Sequence, residues 1–511
     1  MPKKTTCIFT GLTLCAAGLS HAQAQNRAPN ILFIMSDDHT SQAISAYGGY
    51  LGKYMPTPNI DRIGREGARL NNCFVTNSIC TPSRACILTG QYSQKNGVYT
   101  LDDMLDRNLP NAAKELQKAG YQTAIIGKWH LGTEPAGFDY YNVLPGQGQY
   151  NNPLFIKKGD WDKGPGGSPK LTEFGGHETD IVANDAISYL QSANRDRPFF
   201  VMCCFKATHS PWDPAARFKD LLKDVDIPEP GNLLDTYEGK GKYTQFLKMG
   251  LETFKEDYHL KGHYFPANMT RDEKRHWAYQ LFIKDYLRCV AGVDENVGRL
   301  LKYLDDNGLS ENTIVIYTGD QGFFLGEHGW FDKRLIYEES LHMPFLIRYP
   351  REIKAGTVNN DFVLNLDFAP LFLDYAGMAK PSYMQGESFR GNLKGQTPAG
   401  WRTSIYYRYW MNEDDNQNAP AHYGIRTGRY KLVYYYAQPL GMKGATKSTL
   451  EPEWELYDLQ SDPAEMRNIY NDPASKNLVA RLKKELLQLK KKYDDKDDKY
   501  PEMLEINKQY W

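Results

Sequence analysis

Four short apolar runs, each ending in charged or ionisable residues, constrain this chain most. They occupy residues 30–35 (N-I-L-F-I-M), 122–126 (Q-T-A-I-I), 198–205 (P-F-F-V-M-C-C-F) and 313–317 (T-I-V-I-Y). Runs without regular polar alternation suit strands buried on both faces, as in a parallel sheet covered by helices. Helical patterns at 57–67, 112–119, 179–193 and 271–306 lie between them, and 345–348 gives a further strand. This alternation predicts an α/β domain with a large mixed, mostly parallel sheet. The runs lead into Asp37-Asp38, Lys128-Trp129-His130, Lys206-Ala207-Thr208-His209 and Asp320-Gln321. Ligands of such sheets sit beyond the carboxyl ends of the strands, so these four ends are expected to converge.

The pattern changes near residue 395. Tyr-rich segments at 403–409, 423–427, 431–436 and 454–459 predict short antiparallel strands, followed by a helix at 477–493. The expected organisation is a large α/β domain at 25–395 and a smaller α+β subdomain at 396–511. A polar, Gly-rich insertion at about 212–270 is expected near the site. Lys490, Lys491, Lys492 and the Asp/Lys stretch after them are expected to be solvated.

A formal net charge of -1 gives no electrostatic footprint for nucleic acid. Past residue 25, no apolar run approaches the ~20 residues of a membrane span. At the N-terminus, Lys3 and Lys4 precede an apolar run, and Ala22-Gln23-Ala24 supplies a small-x-small cleavage site. Residues 1–24 therefore read as a signal peptide, predicting a secreted or periplasmic protein. Of eight cysteines, six lie beyond it: Cys73, Cys80, Cys86, Cys203, Cys204 and Cys289. Their spacing suggests no disulfide framework and no zinc site. Cys203 and Cys204 adjoin within one strand and should face opposite sides of the sheet.

Cys80-Thr81-Pro82-Ser83-Arg84, with Thr89-Gly90 following, has the form C-x-P-S-R-x-x-x-x-T-G. Pro82 suits the first turn of a helix, where its missing N–H costs little. Cys80 would then stand at a helix N-terminus, where free N–H groups and the dipole favour an anion such as sulfate. Asp37, Asp38, Asp320 and Gln321 offer only oxygen donors, which suits calcium or magnesium far better than zinc. Arg84, Lys128, His130, Lys206, His209 and Lys333 are the cationic or proton-carrying candidates. A sulfate ester needs its peripheral oxygens neutralised and its leaving oxygen protonated, and these residue types can do both. His39, His328 and His342 read as structural.

Taken together, residues 28–470 resemble the type I, formylglycine-dependent sulfatases of the alkaline phosphatase-like superfamily. The landmarks are I-M-S-D-D at 34–38, C-T-P-S-R at 80–84, G-K-W-H-L-G at 127–132, T-H-S-P at 208–211, G-D-Q-G at 319–322 and E-L-Y-D-L-Q-S-D-P-A-E at 455–465. The resemblance implies that a maturation enzyme oxidises Cys80 to formylglycine, whose hydrate is the nucleophile. It implies that Asp37, Asp38, Asp320 and Gln321 bind calcium together with that hydrate, although many members carry Asn or His where Gln321 stands. Arg84 and Lys128 would steady the hydrate, His130 would act as the base that expels sulfate, and His209 as the acid for the departing sugar oxygen. Lys206 and Lys333 would contact the sulfate. One hydroxyl of the hydrate attacks sulfur, the alcohol leaves, and deprotonation of the second hydroxyl eliminates sulfate and restores the aldehyde.

Residues 322–334, 133–139 and 422–427 are similar to bacterial N-acetylglucosamine-6-sulfatases acting on heparan-type or mucin-type glycans. That likeness implies a sulfated glycan substrate, with Asp332, Arg334 and His422 as sugar contacts. The alternatives are a sulfatase for galactosamine sulfates or aryl sulfates, a phosphatase or phosphonate hydrolase of the same superfamily, and a non-catalytic glycan binder. The complete signature at Cys80 argues against the phosphatase. The presence of every charged landmark argues against the binder.

Overall fold

A computed structural model describes Met1 and residues 27–447 and 450–511. The segment expected to be a signal peptide lies outside the described residues. The apolar runs form strands with the expected bounds to within two or three residues. They are β1 (Asn30–Ser36), β2 (Gln122–Lys128), β4 (Phe199–Phe205), β5 (Thr313–Gly319) and β6 (Phe345–Arg348), joined by a strand that the sequence reading did not anticipate, β3 (Tyr140–Leu144). Within a ten-stranded sheet, β5, β1, β4, β2 and β3 lie side by side and parallel, and β6 pairs antiparallel to β5. Register carries the ends of the central strands to one edge: Ser36 faces Phe205 on one side and Gly319 on the other.

Both faces of this sheet are covered, which is why its strands lack polar alternation. Phe33, Met35, Phe200, Met202 and Cys204 belong to one apolar core, and Leu32, Ile34, Val201, Cys203 and Phe205 to the other. Cys203 and Cys204 thus face opposite sides, and all six described cysteines are free.

The covering helices include α1 (Pro58–Arg65), α2 (Cys80–Thr89), α3 (Glu178–Ser192) and α4 (Arg271–Asp306). A capping box starts α4: Thr270 Oγ1 accepts from Glu273 N–H, and Glu273 returns a carboxylate to Thr270 N–H. The same helix holds the first turn of α1, because Asp294 accepts from the backbone N–H groups of Asn59 and Ile60 at 3.0 and 2.9 Å. Thr57 is the N-cap of α1, as expected, with Pro58 opening the helix, but its side chain accepts from no helix N–H; the hydroxyl donates to Asp61 instead. Residues 213–270 hold turns and short 3-10 segments.

The Tyr-rich segments form a four-stranded antiparallel sheet: β7 (Ser404–Tyr409), β8 (His422–Thr427), β9 (Tyr430–Tyr435) and β10 (Glu453–Asp458). Its apolar side chains join the same core as Phe33 and α2, so one continuous apolar cluster ties the two sheets. Helices α5 (Lys476–Lys492) and α6 (Pro501–Tyr510) close the chain. Lys490 departs from expectation. Its ammonium is buried over the Tyr423 ring at 3.7 Å and pairs with Asp495 and Asp497 at 3.1 and 2.8 Å. The last turn of α5 packs on the small sheet, so its lysine enters a buried charge cluster; Lys491 and Lys492 are exposed.

Candidate active site

The strand ends converge as the topology requires. Asp37 follows β1 directly, and its N–H bonds the carbonyls of Phe205 and Ala207, beyond β4. Asp38 N–H donates to Asp320 Oδ1 at 3.1 Å, joining the exits of β1 and β5. The Tyr286 hydroxyl, from α4, donates to Asp38 O at 2.8 Å and fixes the turn. Asp37, Asp38 and Asp320 are fully or almost fully buried, and each offers a carboxylate oxygen within 4.8 Å of the others.

Such a concentration of buried negative charge requires compensation. Arg84 supplies part of it: Nε lies 3.0 Å from Asp320 Oδ2, and a terminal nitrogen lies 2.9 Å from the same oxygen and 3.4 Å from Asp37 Oδ1. Lys128 Nζ touches Asp37 Oδ2 and Gln147 Oε1. Lys333 Nζ lies 2.6 and 2.7 Å from the two oxygens of Asp38. The formal charges of three carboxylates and three cations therefore cancel. Burial raises the Asp38 carboxyl to about 6 although Lys333 opposes it. Burial also works to raise Asp320, but Arg84, Lys128 and Lys333 outweigh it and hold the carboxyl below its usual range.

Cys80 is the first residue of α2, with Ile79 as N-cap. Its Sγ lies 3.3 Å from Asp37 Oδ1. Arg84 follows one turn later, and i, i+4 positions share a helix face, so the nucleophile candidate and the guanidinium point at the same carboxylates. Burial pushes the Cys80 thiol up to about 12 despite Lys333 nearby. An unmodified thiol there stays protonated and unreactive near neutral pH.

His209 donates from Nδ1 to Ser210 O at 2.6 Å, which leaves Nε2 facing Asp38 Oδ2 at 3.9 Å. Burial and then Lys128 and Lys333 push its imidazole well below the usual range. Burial and then Lys128 and Arg84 do the same for His130, whose buried Nδ1 has no hydrogen-bond partner. Both rings are thus neutral at pH 7. Asp38, His130, Asp332 and Arg334 all have positive φ, between 52° and 91°. Left-handed backbone costs a non-glycine residue about 1–3 kcal/mol and collects at functional sites. Gly127 (φ 91°) precedes Lys128, and a Cβ there would meet Cys204 O at 2.0 Å. Only glycine lets β2 pass β4 this closely.

A cavity of about 600 Å³ opens above these groups. Cys80, His209 and Lys333 lie at its floor, and Asp332 and Arg334 line it. Arg334 is buried and bonds Tyr409 and Asp414, each at 3.0 Å. Gln417 donates to Asp332 at 2.6 Å and accepts from Arg334 at 3.3 Å. These two side chains are thus held in one rigid network rather than as a surface ion pair. His130 lines a second cavity of about 350 Å³, which shares Leu101 with the main one. Lys206 does not line the main cavity; its ammonium bonds Ser210 O at 3.3 Å and lies over the Tyr150 ring.

His422 does not reach the cavity either, contrary to expectation. It is fully buried in β8 between Tyr407, Tyr409 and Tyr435, and Nδ1 donates to Pro420 O. Strand alternation turns it into the aromatic core of the small sheet. The reading of sequence missed Gln147, Asp414 and Gln417. Gln147 sits in the loop after β3, where the strand-end rule points. Asp414 and Gln417 lie in a polar loop between β7 and β8 that carries no local signal.

The donor set fits a hard divalent cation. Its side-chain donors are all oxygens, as such ions prefer. Gln321 Oε1 is buried and accepts no hydrogen bond, while the amide nitrogen lies 2.5 Å from Asp38 Oδ1. A cation among the carboxylates supplies the partner this oxygen lacks.

A helix start that favours an anion, set beside buried carboxylates and cations, suits the hydrolysis of an anionic ester. The chain belongs to the sulfatase family: the model described as "Sulfatase" matches residues 29–378, and one described as "N-sulphoglucosamine sulphohydrolase, C-terminal" matches 326–492. It is 41% identical to an N-acetylglucosamine-6-O-sulfatase of Bacteroides thetaiotaomicron, covering 95% of this chain and 91% of the relative. It is 26% identical to an N-acetylglucosamine-6-sulfatase of Capra hircus, covering 88% and 82%. A structure solved in complex with its substrate D-glucosamine-2-N,6-O-disulfate superposes with a TM-score of 0.83 at 40% identity, covering 92% of this chain and 99% of the other.

Proposed function

We propose that this sulfatase removes the 6-O-sulfate of N-acetylglucosamine or glucosamine in heparan-type or mucin-type glycans, using Cys80 converted to formylglycine and a bound calcium ion. One observation carries the reading: Cys80 opens a buried helix within 3.3 Å of Asp37, inside the carboxylate–cation cluster and at the floor of a sugar-sized cavity. The 41% identity to a relative named for N-acetylglucosamine-6-O-sulfate supports the sugar.

Asp37, Asp38, Asp320 and Gln321 would hold the calcium, which supplies a fixed positive charge against the sulfate oxygens. Formylglycine at position 80 supplies a geminal diol, whose second hydroxyl allows sulfate to leave by elimination, a route closed to serine or cysteine. Arg84 and Lys128 orient the reacting group through the carboxylates they bind. Lys333 opposes the ester's charge at the cavity, and Lys206, outside its lining, adds only a more distant positive charge. His130, neutral, accepts a proton. His209 carries Nδ1–H and needs a second proton at Nε2 to protonate the leaving sugar oxygen; an anionic ester beside it offsets the lysines that keep it neutral. Asp332, Arg334 and Gln417 present a preorganised wall to sugar hydroxyls. Export through the segment 1–24 and oxidation by a maturation enzyme complete the proposal.

Peptide mass spectrometry of residue 80, paired with sulfate release from N-acetylglucosamine-6-sulfate, tests it. Formylglycine with release is the expected result. A protein fully converted at position 80 that hydrolyses phosphate or phosphonate monoesters faster than any 6-sulfated glucosamine would overturn it.

A further inference from the structure

The insertion, built of turns and short 3-10 segments, contributes two lysines to the lining of the main cavity. Lys248 and Lys255 both line it, and both are exposed. Their ammonium groups reach across to the loop between β7 and β8, where Lys248 Nζ lies 3.2 Å from Asp415 O and Lys255 Nζ lies 3.4 Å from Asn416 Oδ1. Their hydrogen-bond partners are a carbonyl and an amide, and neither lysine pairs with a carboxylate among the described residues. The acidic side chains nearby are accounted for differently. Asp332 is taken up by Gln417 and Arg334, and Asp415 offers Lys248 its backbone rather than its carboxylate.

These contacts differ in kind from those at the floor. Lys128 and Lys333 are buried against Asp37 and Asp38 and serve the carboxylate cluster. Lys248 and Lys255 line the same cavity and are bonded only to neutral acceptors; the carboxylates that line it with them, Asp332 and Asp415, form an ion pair with neither. An ammonium held only by neutral acceptors keeps its attraction for an incoming anion, and a concave wall strengthens that attraction.

We propose that Lys248 and Lys255 form a second anion subsite, which takes a further sulfate or a carboxylate of the glycan while the scissile sulfate sits at the floor. This inference rests on the proposed action on 6-sulfated glucosamine and narrows it to polyanionic, heparan-type chains rather than mucin-type chains with neutral neighbours. The second anion belongs either to the same ring, as a 2-N-sulfate, or to an adjoining uronate.

The test measures kcat/KM of the formylglycine-bearing enzyme on three substrates: N-acetylglucosamine-6-sulfate, glucosamine-2-N,6-O-disulfate, and a disaccharide in which a uronate adjoins 6-sulfated N-acetylglucosamine. The expected result is a preference for one of the two polyanionic substrates. That preference should fall about 10-fold in the K248A/K255A variant, chiefly through KM, as befits two partly exposed ion pairs. It should also shrink as salt rises from 0.05 to 0.5 M, since exposed charges are screened over ~10 Å at 0.1 M. Which substrate is preferred identifies the source of the anion. An unchanged preference in the double variant, or no preference in the wild type, overturns the subsite. Binding of glucosamine-2-N,6-O-disulfate to the C80S protein, with and without both lysines, separates the two proposals. A binding difference without turnover of any 6-sulfated glucosamine would retain the subsite and refute the assigned reaction.

Discussion

Lys333 Nζ grips both carboxylate oxygens of Asp38, at 2.6 and 2.7 Å, and so faces the same acidic cluster that Arg84 and Lys128 face from other sides. Lys333 follows Asp332 and precedes Arg334, so one short segment links the carboxylate cluster to the cavity wall. Burial favours the neutral amine, yet Asp38, with Cys80 and Asp332, outweighs it and raises the Lys333 pKa above its ordinary value. The ammonium is therefore a permanent charge in the site.

Replacing Lys333 by Ala should lower kcat/KM for a sulfated sugar by about 10²–10³-fold, the usual effect of removing one preorganised charge-stabilising donor. Lys333→Arg should recover only part of it, because a planar fork does not substitute for a compact ammonium. Steady-state sulfate release measures both. Loss of less than threefold in the Ala variant would refute a direct role.

Chelation should abolish activity, and added calcium should restore it, because the all-oxygen set fits a hard cation. Asp320→Asn should weaken calcium binding, measured by isothermal titration, and leave Arg84 without its closest carboxylate. Full activity in the presence of excess chelator would exclude the metal role.

Gln417→Ala should cut kcat/KM on 6-sulfated glucosamine about 10-fold and change turnover of a small aryl sulfate much less. Gln417 bonds both Asp332 and Arg334, and removing it frees two side chains that would otherwise meet the sugar in fixed positions. Equal losses on both substrates would place its effect in the fold instead.

The Arg408–Asp495–Lys490 cluster should make the small sheet acid-sensitive. Burial alone would raise the Asp495 carboxyl, but Arg408 and Lys490 outweigh it and hold it well below the usual range. A carboxyl depressed in the folded state stabilises the fold above its unfolded pKa of about 3.9, and that contribution is lost as pH falls through the folded value. Asp495→Asn should cost about 3–5 kcal/mol near pH 7, as for a broken buried pair. The gap between variant and wild type in thermal unfolding should narrow below about pH 4. A gap constant with pH would show that packing, not charge, is responsible.

The chain's local pattern was enough to locate the heart of this site. Apolar runs without alternation specify strands buried on both faces, and a parallel sheet made of such strands must gather its exits at one edge. That places Asp37, Asp38, Lys128, Asp320 and their neighbours together before any contact is known. The start of α2 at Cys80 is likewise a local property, written in Ile79 through Gly90. The partners that convergence left open came from long-range packing. Lys248, Lys255 and Gln417 sit in loops whose sequences are merely polar, and they reach the cavity only because the small sheet and the insertion dock over it; Asp414 acts behind them, on Arg334. His422 and Lys490 point the same lesson the other way: a histidine among tyrosines and a lysine in a basic run look accessible as sequence. Docking of the small sheet and of α5 buries both. Strand period and helix starts are set by neighbours in the chain, whereas burial and partnership depend on which distant surface arrives, and that is a tertiary decision.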